Sequence, residues 1–240
     1  MDSDKILSLI NLNNSFYTKH QEEFSKSRRN PWSGWNKFVD LINKRYENQN
    51  TIKVLDIGCG NGRFYNFLAK SCNISTDYLG LDNNDYFLIE AVLKYKKANF
   101  KKIDVFYDID KISEKYDILA VFGVTHHIPG NSFRKEWFKK IIKLVNKNGI
   151  ICLSFWNLLS DLRSVKLIKA DGLENNDYYY GWSDSNDQRY VHLFNQKELM
   201  DIKEIFEANN FFLKSDFLGD GKNEKMNIYQ VFEKKTISYP

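Results

Sequence analysis

The run Val54-Leu55-Asp56-Ile57-Gly58-Cys59-Gly60-Asn61-Gly62-Arg63-Phe64 places three glycines on alternate positions directly after a short apolar stretch that carries one acid. A loop with so few side chains lets a ligand come close to the backbone at the end of a strand. The flanking sequence supports a strand there. Short β-rich runs recur at 53–57, 78–82, 101–106, 117–122 and 149–155, separated by segments of helical periodicity. Strand, helix, strand repeated in this way predicts an α/β fold with a mostly parallel sheet wrapped by helices, and ligands bind such sheets at the carboxyl ends of the strands.

Outside that alternation, residues 1–50 read as a helical cap with amphipathic helices over 14–27 and 31–45, the second opened by Pro31. Residues 51–240 form the main domain. After Trp156 the pattern lapses into polar and aromatic clusters such as Tyr178-Tyr179-Tyr180-Gly181-Trp182, and a lid or binding insertion is expected over 157–194. A helix over 198–209, a strand over 211–217, the turn Gly219-Asp220-Gly221 and a last strand over 227–233 then predict an antiparallel hairpin closing the sheet edge.

Composition narrows the class. The chain has 240 residues, 42% of them hydrophobic, enough for a sizeable core. No apolar run approaches the roughly 18 residues that cross a bilayer. The start Met1-Asp2-Ser3-Asp4 is acidic where a secretory signal is basic, so a cytoplasmic protein without membrane contact is expected. Cys59, Cys72 and Cys152 lack C-x-x-C spacing, and with His20, His126, His127 and His192 they form no pattern for a disulfide framework or a metal site. The net charge of +4 leans only slightly towards an anionic partner.

The glycine loop can be tested against known ligand cradles. A P-loop needs G-x-x-x-x-G-K-S/T, which the chain lacks. The dinucleotide pattern G-x-G-x-x-G would need a third glycine where Arg63 stands, although Asp82 follows at the distance of a ribose-binding acid. A tight strand-to-helix turn in another α/β protein is the bland alternative. The spacing Asp56-x-Gly58-x-Gly60-x-Gly62, with Asp82 ending the second strand and Asp104 after the third, resembles the class I S-adenosylmethionine-dependent methyltransferases. That resemblance implies a Rossmann-like fold with a seven-stranded sheet and helices on both faces. It also implies that Gly58 and Gly60 admit the methionyl part of the cofactor and that Asp82 receives the ribose hydroxyls. Asp104 would take the adenine amino group and Asp56 the amino end. Cys59, Gly62, Asn83, Val105 and Phe122 complete the implied S-adenosylmethionine site, with Cys59 acting only as a small filler.

The acceptor is read from the end of the fourth strand, Phe122-Gly123-Val124-Thr125-His126-His127-Ile128-Pro129. It lacks the Asn/Asp-Pro-Pro-Tyr motif used for exocyclic amines of bases, which favours an oxygen or carbon acceptor. His126 and His127 are placed to orient or deprotonate that acceptor, or to brace the loop. The segments from Phe16-Tyr17 through Arg28-Arg29-Asn30-Pro31-Trp32, and Arg189-Tyr190-Val191-His192-Leu193-Phe194, resemble the eukaryotic tRNA wobble-uridine carboxymethyl methyltransferases. That resemblance implies esterification of the carboxylate of 5-carboxymethyluridine in the tRNA anticodon loop. Arg29, Arg189 and His192 would clamp the carboxylate and Tyr190 would hydrogen-bond or stack. A small zinc-bearing activator protein is implied as a partner. A carboxylate is already ionised at neutral pH, so it needs positioning and no base. A small-molecule carboxylate, hydroxyl or carbon acceptor, and a cofactor-binding regulatory protein without turnover, stay open on the sequence.

Overall fold

Asp2 starts the first helix by accepting a hydrogen bond from the Lys5 amide at 2.8 Å. The computed structural model describes residues 1–28, 30–158, 166–169, 171–182 and 185–235; Arg29, expected at the acceptor, lies outside them. Helix α1 (Ser3–Lys19) buries Leu9, Ile10 and Phe16, so the helix expected from residue 14 begins eleven residues earlier, at its cap. His20 interrupts it before α2 (Gln21–Ser27). Helix α3 (Gly34–Arg45) starts after the Pro31 expected to open it, where the Gly34 amide donates to Asp220 Oδ1 at 2.9 Å. Only glycine fits there, because a Cβ at Gly34 would lie 2.3 Å from Tyr229 Cε2.

The alternating region then folds as β1 (Thr51–Ile57), α4 (Arg63–Ser71), β2 (Ser75–Asp82), α5 (Asp85–Lys94), β3 (Asn99–Lys102), β4 (Tyr116–Val121), α6 (Asn131–Ile142) and β5 (Val145–Trp156). Strand β3 ends short of the expected 101–106. The Asp104 carboxylate accepts the amides of Phe106 at 2.9 Å and Tyr107 at 3.3 Å, turning the chain out of the sheet. The insertion holds β6 (Leu167–Ile168), β7 (Asp177–Gly181) and β8 (Gln188–His192), followed by α7 (Gln196–Glu207), β9 (Phe211–Gly219) and β10 (Asn227–Lys234).

Seven strands form one sheet in the order β3-β2-β1-β4-β5-β10-β9. The pairs from β3 to β5 are parallel and β10 runs antiparallel to both neighbours, which is the expected hairpin at the edge. Period-two alternation sends Leu55, Ile57, Leu119 and Val121 to one face and Val54, Ile118 and Ala120 to the other. On the first face they meet Trp137 and Phe138 of α6 and Phe206 of α7. On the second they meet Trp35 and Phe38 of α3 and Phe64 and Leu68 of α4. Each fully buried large side chain contributes about 1.5–3 kcal/mol, so two sandwiched faces fix the strand register firmly.

Strands β6, β7 and β8 form a separate antiparallel sheet. Asn13 of α1 ties it down: the Tyr190 amide donates to Asn13 Oδ1 at 2.7 Å, and Asn13 Nδ2 donates to the Tyr190 carbonyl at 3.2 Å. One carboxamide thus stands in for a strand neighbour, and the insertion is fastened to the N-terminal cap. Among the described residues no helix is long and apolar enough to cross a membrane.

Candidate active site

At the carboxyl end of β1 the chain turns through Gly58, Gly60 and Gly62 at φ of +74°, +53° and +75°, a region glycine occupies without steric cost. The amides of Gly58 and Cys59 both donate to the Leu81 carbonyl, at 2.8 and 2.9 Å, which holds the loop against the end of β2. Asp82 closes it: its carboxylate accepts the Gly60 amide at 2.9 Å and the Asn84 amide at 3.0 Å. A Cβ at Gly58 would lie 2.2 Å from Val124 Cγ2, whereas one at Gly60 would meet nothing within 4 Å. Gly58 is therefore small for packing, and Gly60 leaves bare backbone facing open space.

That space is a cavity of about 170 Å3. Of the residues named from the sequence, Asp56, Gly58, Cys59, Gly60, Asp82, Asn83, Val105, Phe122 and His126 line it. Gly62 does not; it is the residue before α4, and a Cβ there would press on Tyr95 at 2.9 Å. Asp104 does not line it either, since the turn after β3 uses one of its oxygens on the Phe106 and Tyr107 amides. Cys59 is packing: a Cβ at Gly80 would sit 2.8 Å from its sulfur, and burial pushes its thiol pKa well up. Asp56 is 2% exposed, takes a hydrogen bond from the Tyr78 hydroxyl at 2.5 Å, and is pushed up to about 7 by burial.

The cap roofs the cavity. Asn83 Nδ2 donates to Asn14 Oδ1 at 2.8 Å, and Asn61 Nδ2 donates to Ser25 Oγ at 2.8 Å, linking both strand-end loops to α1 and α2. Tyr17, Phe24 and Phe87 add aromatic surface to the lining, with the Tyr17 and Phe24 rings 5.0 Å apart edge to face. Sequence reasoning missed Asn13, Asn14, Tyr17 and Arg63 as parts of the site. The seven-residue spacing of Tyr17 and Phe24 is the one available signal, and it marks only a shared helix face.

Beyond Gly123, the loop after β4 is set by Ser154: the Gly123 amide donates to its Oγ at 3.0 Å, and Thr125 Oγ1 donates to its carbonyl at 2.6 Å. His126 is fully buried and stacks on Trp156 with ring centres 3.7 Å apart. Neither of its ring nitrogens has a hydrogen-bond partner among the described residues. Burial, then the neighbouring His127 and Arg189, hold its pKa well below the usual imidazole value, so it is neutral at pH 7. His127 is bonded on both sides, Nε2 to the Tyr17 hydroxyl at 2.7 Å and Nδ1 to the Tyr190 carbonyl at 3.0 Å. Burial takes it down to about 3, and it braces Tyr17 as a neutral ring.

Arg189 is 1% exposed and does not line the cavity directly. Its guanidinium carbon lies 4.7 Å from the Phe16 ring centre, 5.8 Å from Tyr17 and 5.5 Å from Trp156, the last two being cavity walls. Tyr180 at 5.0 Å and Trp182 at 5.5 Å complete an aromatic cage. Its Nε and Nη1 have no hydrogen-bond partner among the described residues. Such a charge costs several kcal/mol to bury, and cation–π contacts return only part of that.

The expectation that Tyr190 and His192 reach the acceptor is corrected by the register of β8. They alternate with Arg189, and both bond to fully buried Asp177: the Tyr190 hydroxyl at 2.7 Å and His192 Nδ1 at 2.7 Å. His192 Nε2 lies 3.1 Å from Glu198, and Arg134 Nη2 lies 3.8 Å from Asp177. This is a polar core joining the insertion to α6 and α7; it engages the Tyr190 hydroxyl and His192 Nδ1, while His192 Nε2 and Arg134 Nη2 make no hydrogen bond among the described residues.

Comparison with known proteins agrees with this geometry. Residues 26–214 match the family profile described as a methyltransferase domain. A putative methyltransferase of Encephalitozoon cuniculi (strain GB-M1) is 28% identical over 189 residues, 78% of this chain and 82% of that protein. The ubiquinone biosynthesis O-methyltransferase of Pelagibacter ubique (strain HTCC1062) is 26% identical over 251 residues, 94% of this chain and 97% of that protein. Among solved structures, magnesium protoporphyrin IX methyltransferase from Synechocystis PCC 6803 with bound SAH shares the fold. Its TM-score is 0.63 at 15% identity, over 92% of this chain and 97% of that one. The profile takes in every strand of the parallel sheet together with the glycine loop, Asp82 and the His126 loop, and on that ground this chain belongs to the methyltransferase domain family.

Proposed function

We propose that the protein methylates an acceptor carboxylate with S-adenosylmethionine, and that the carboxylate is the one on 5-carboxymethyluridine at the tRNA wobble position. The observation that carries this reading is Arg189, a buried guanidinium without an anionic partner among the described residues, behind the Tyr17 and Trp156 walls. An acceptor carboxylate supplies the missing charge, and it is already a nucleophile at neutral pH. The cofactor supplies a methyl group on a sulfonium; everything else is positioning and exclusion of water by the chain.

The residues present fit that cofactor. Bare backbone at Gly60 gives it room, Asp82 would hold the ribose hydroxyls with lone pairs left over from its two amide bonds, and Asp56 would hold the ammonium. The last role predicts a pH dependence. Because burial raises Asp56 to about 7, it is mostly protonated at pH 6 and mostly ionised at pH 8. Only the ionised form pairs with an ammonium, so cofactor affinity rises with pH, by about tenfold from pH 6 to pH 8. Titration calorimetry at the two pH values checks this, and Asp56→Asn should flatten the dependence.

A second reading is methylation of a small hydroxyl compound. It is supported by the near full-length similarity to the Pelagibacter ubique O-methyltransferase. Neutral His126, with both ring nitrogens free of partners among the described residues, would then accept the hydroxyl proton. We also propose that a small activator subunit covers the apolar face that α5 leaves beside edge strand β3, where Ile89 is 59% and Leu93 66% exposed.

One assay separates the acceptors. Protein and labelled cofactor are incubated with tRNA from cells lacking the terminal methyl group, with and without an activator, and the tRNA is digested to nucleosides for mass spectrometry. The expected product is a methyl ester of 5-carboxymethyluridine, lost in mild base. Label appearing in a small-molecule extract and absent from tRNA would move the second reading to first place.

A further inference from the structure

Arg63 stands where a helix least favours a cation. It is the first residue of α4, at the end where the amide dipoles already present positive charge. It lines the cavity, and no carboxylate pairs with it among the described residues. Its one hydrogen bond among the described residues goes from Nη1 to the Asn30 carbonyl at 2.8 Å. Its guanidinium carbon lies 5.0 Å from the ring centre of Trp32 and 4.9 Å from that of Trp35. Unlike the Nε and Nη1 of Arg189, its Nε and Nη2 are not sealed inside protein, and Arg63 is among the residues that line the cavity. Burial first, then the neighbouring Arg28, pull its pKa down to about 10.

Desolvation, the helix dipole and a like charge all oppose this arginine, and two aromatic contacts of about 1 kcal/mol each do not offset them. An anion must complete the arrangement. Asp56 and Asp82 are the only acids that line the cavity among the described residues, and the cationic groups that line it are Arg28 and Arg63, since both histidines are neutral. An S-adenosyl cofactor carries one carboxylate, on its methionyl end.

We propose that Arg63 is the receptor for that α-carboxylate and sets the selectivity of the site for the complete amino-acid head of the cofactor. The residue that breaks the dinucleotide pattern is thus the one that reads the ligand, with Asp56 of the same cavity for the ammonium. This rests on the S-adenosyl cofactor reading and is independent of the acceptor. A purely structural Arg63, stapling Asn30, Trp32 and Trp35 to α4, would affect all ligands alike.

Calorimetry with two ligands separates these roles: S-adenosylhomocysteine and its decarboxylated analogue S-adenosyl-3-thiopropylamine, each titrated into wild type, Arg63→Met and Arg63→Lys. The wild type is expected to prefer the carboxylate ligand by roughly 30-fold or more, as a charge-assisted contact gives. In Arg63→Met the preference falls below about threefold, the analogue binding as before, and Arg63→Lys lies between. An unchanged preference in Arg63→Met, or an equal loss for both ligands, overturns the assignment to Arg63 alone. Should thermal melts show Arg63→Met unfolded, the wild-type preference and the Arg63→Lys value decide in the same way. Absence of binding of either ligand by the wild type overturns the assignment together with the cofactor reading.

Discussion

Asp82→Ala is expected to weaken S-adenosylhomocysteine binding by a hundredfold or more. Two losses combine. The carboxylate accepts the Gly60 amide at 2.9 Å and the Asn84 amide at 3.0 Å, so its removal loosens the loop at Gly60, while the Leu81 carbonyl still holds it at Gly58 and Cys59. The substitution also removes the acceptor proposed for the ribose hydroxyls. With hydrogen bonds to a charged group contributing about 1.5–3 kcal/mol each, the combined loss is about 3–5 kcal/mol, a factor of a hundred to a few thousand. Burial already holds the Asp82 pKa above the ordinary carboxylate value, so the substitution also removes a desolvated charge, and the melting temperature should fall only slightly. Calorimetry at pH 8, where Asp56 is ionised, keeps the two acids apart. Binding within threefold of wild type would mean that the ribose is held elsewhere.

Arg189→Met is expected to cut methyl transfer about a hundredfold, with cofactor affinity within about twofold of wild type and stability within about 1 kcal/mol. The combination is the diagnostic part. A salt-bridged structural arginine, once removed, leaves a stranded acid and costs 3–5 kcal/mol. Arg189 has no such acid among the described residues, only the rings of Phe16, Tyr17, Trp156, Tyr180 and Trp182. Methionine fills much of the same volume and packs against the same rings, so the lost cation–π attraction is set against relief from burying an unpaired charge. The acceptor loses its counter-charge, a contact of about 2–3 kcal/mol. Single-turnover transfer to tRNA carrying 5-carboxymethyluridine, alongside thermal melts, tests both halves. A drop of several kcal/mol in stability would assign Arg189 to the scaffold, and full activity would remove it from the acceptor site.

Asp82 at the glycine loop and Arg189 behind the Tyr17 and Trp156 walls make no contact with each other, so the double variant should lose roughly the product of the single losses. Coupling between them would point instead to the cap, which touches both regions through Asn83 bonded to Asn14 and His127 bonded to Tyr17.

The sequence by itself determined the parallel sheet, its terminal hairpin and the glycine loop between β1 and α4. Each is written in local terms: strand alternation repeats within a few residues, a positive φ at Gly58 and Gly60 demands glycine in place, and Asp82 bonds an amide only two residues away. Strand β3 and Asp104 fell outside that legibility because the turn that uses the carboxylate and the strand compete for the same residues. Only the tertiary structure decided how the segment proposed for the acceptor is arranged. The residues from Arg189 to His192 read as one cluster, but on a strand they divide between two faces. Which face turns towards the Tyr17 and Trp156 walls depends on how β8 is clasped by Asn13, a residue 177 positions away, and on where Asp177 gathers Tyr190 and His192. Arg63 shows the same limit: its neighbours Trp32 and Trp35 come from another helix and its approach, and its lack of a paired carboxylate among the described residues exists only in three dimensions. Spacing along the chain specifies backbone conformation; the pairing or isolation of a buried charge is a property of the packed whole.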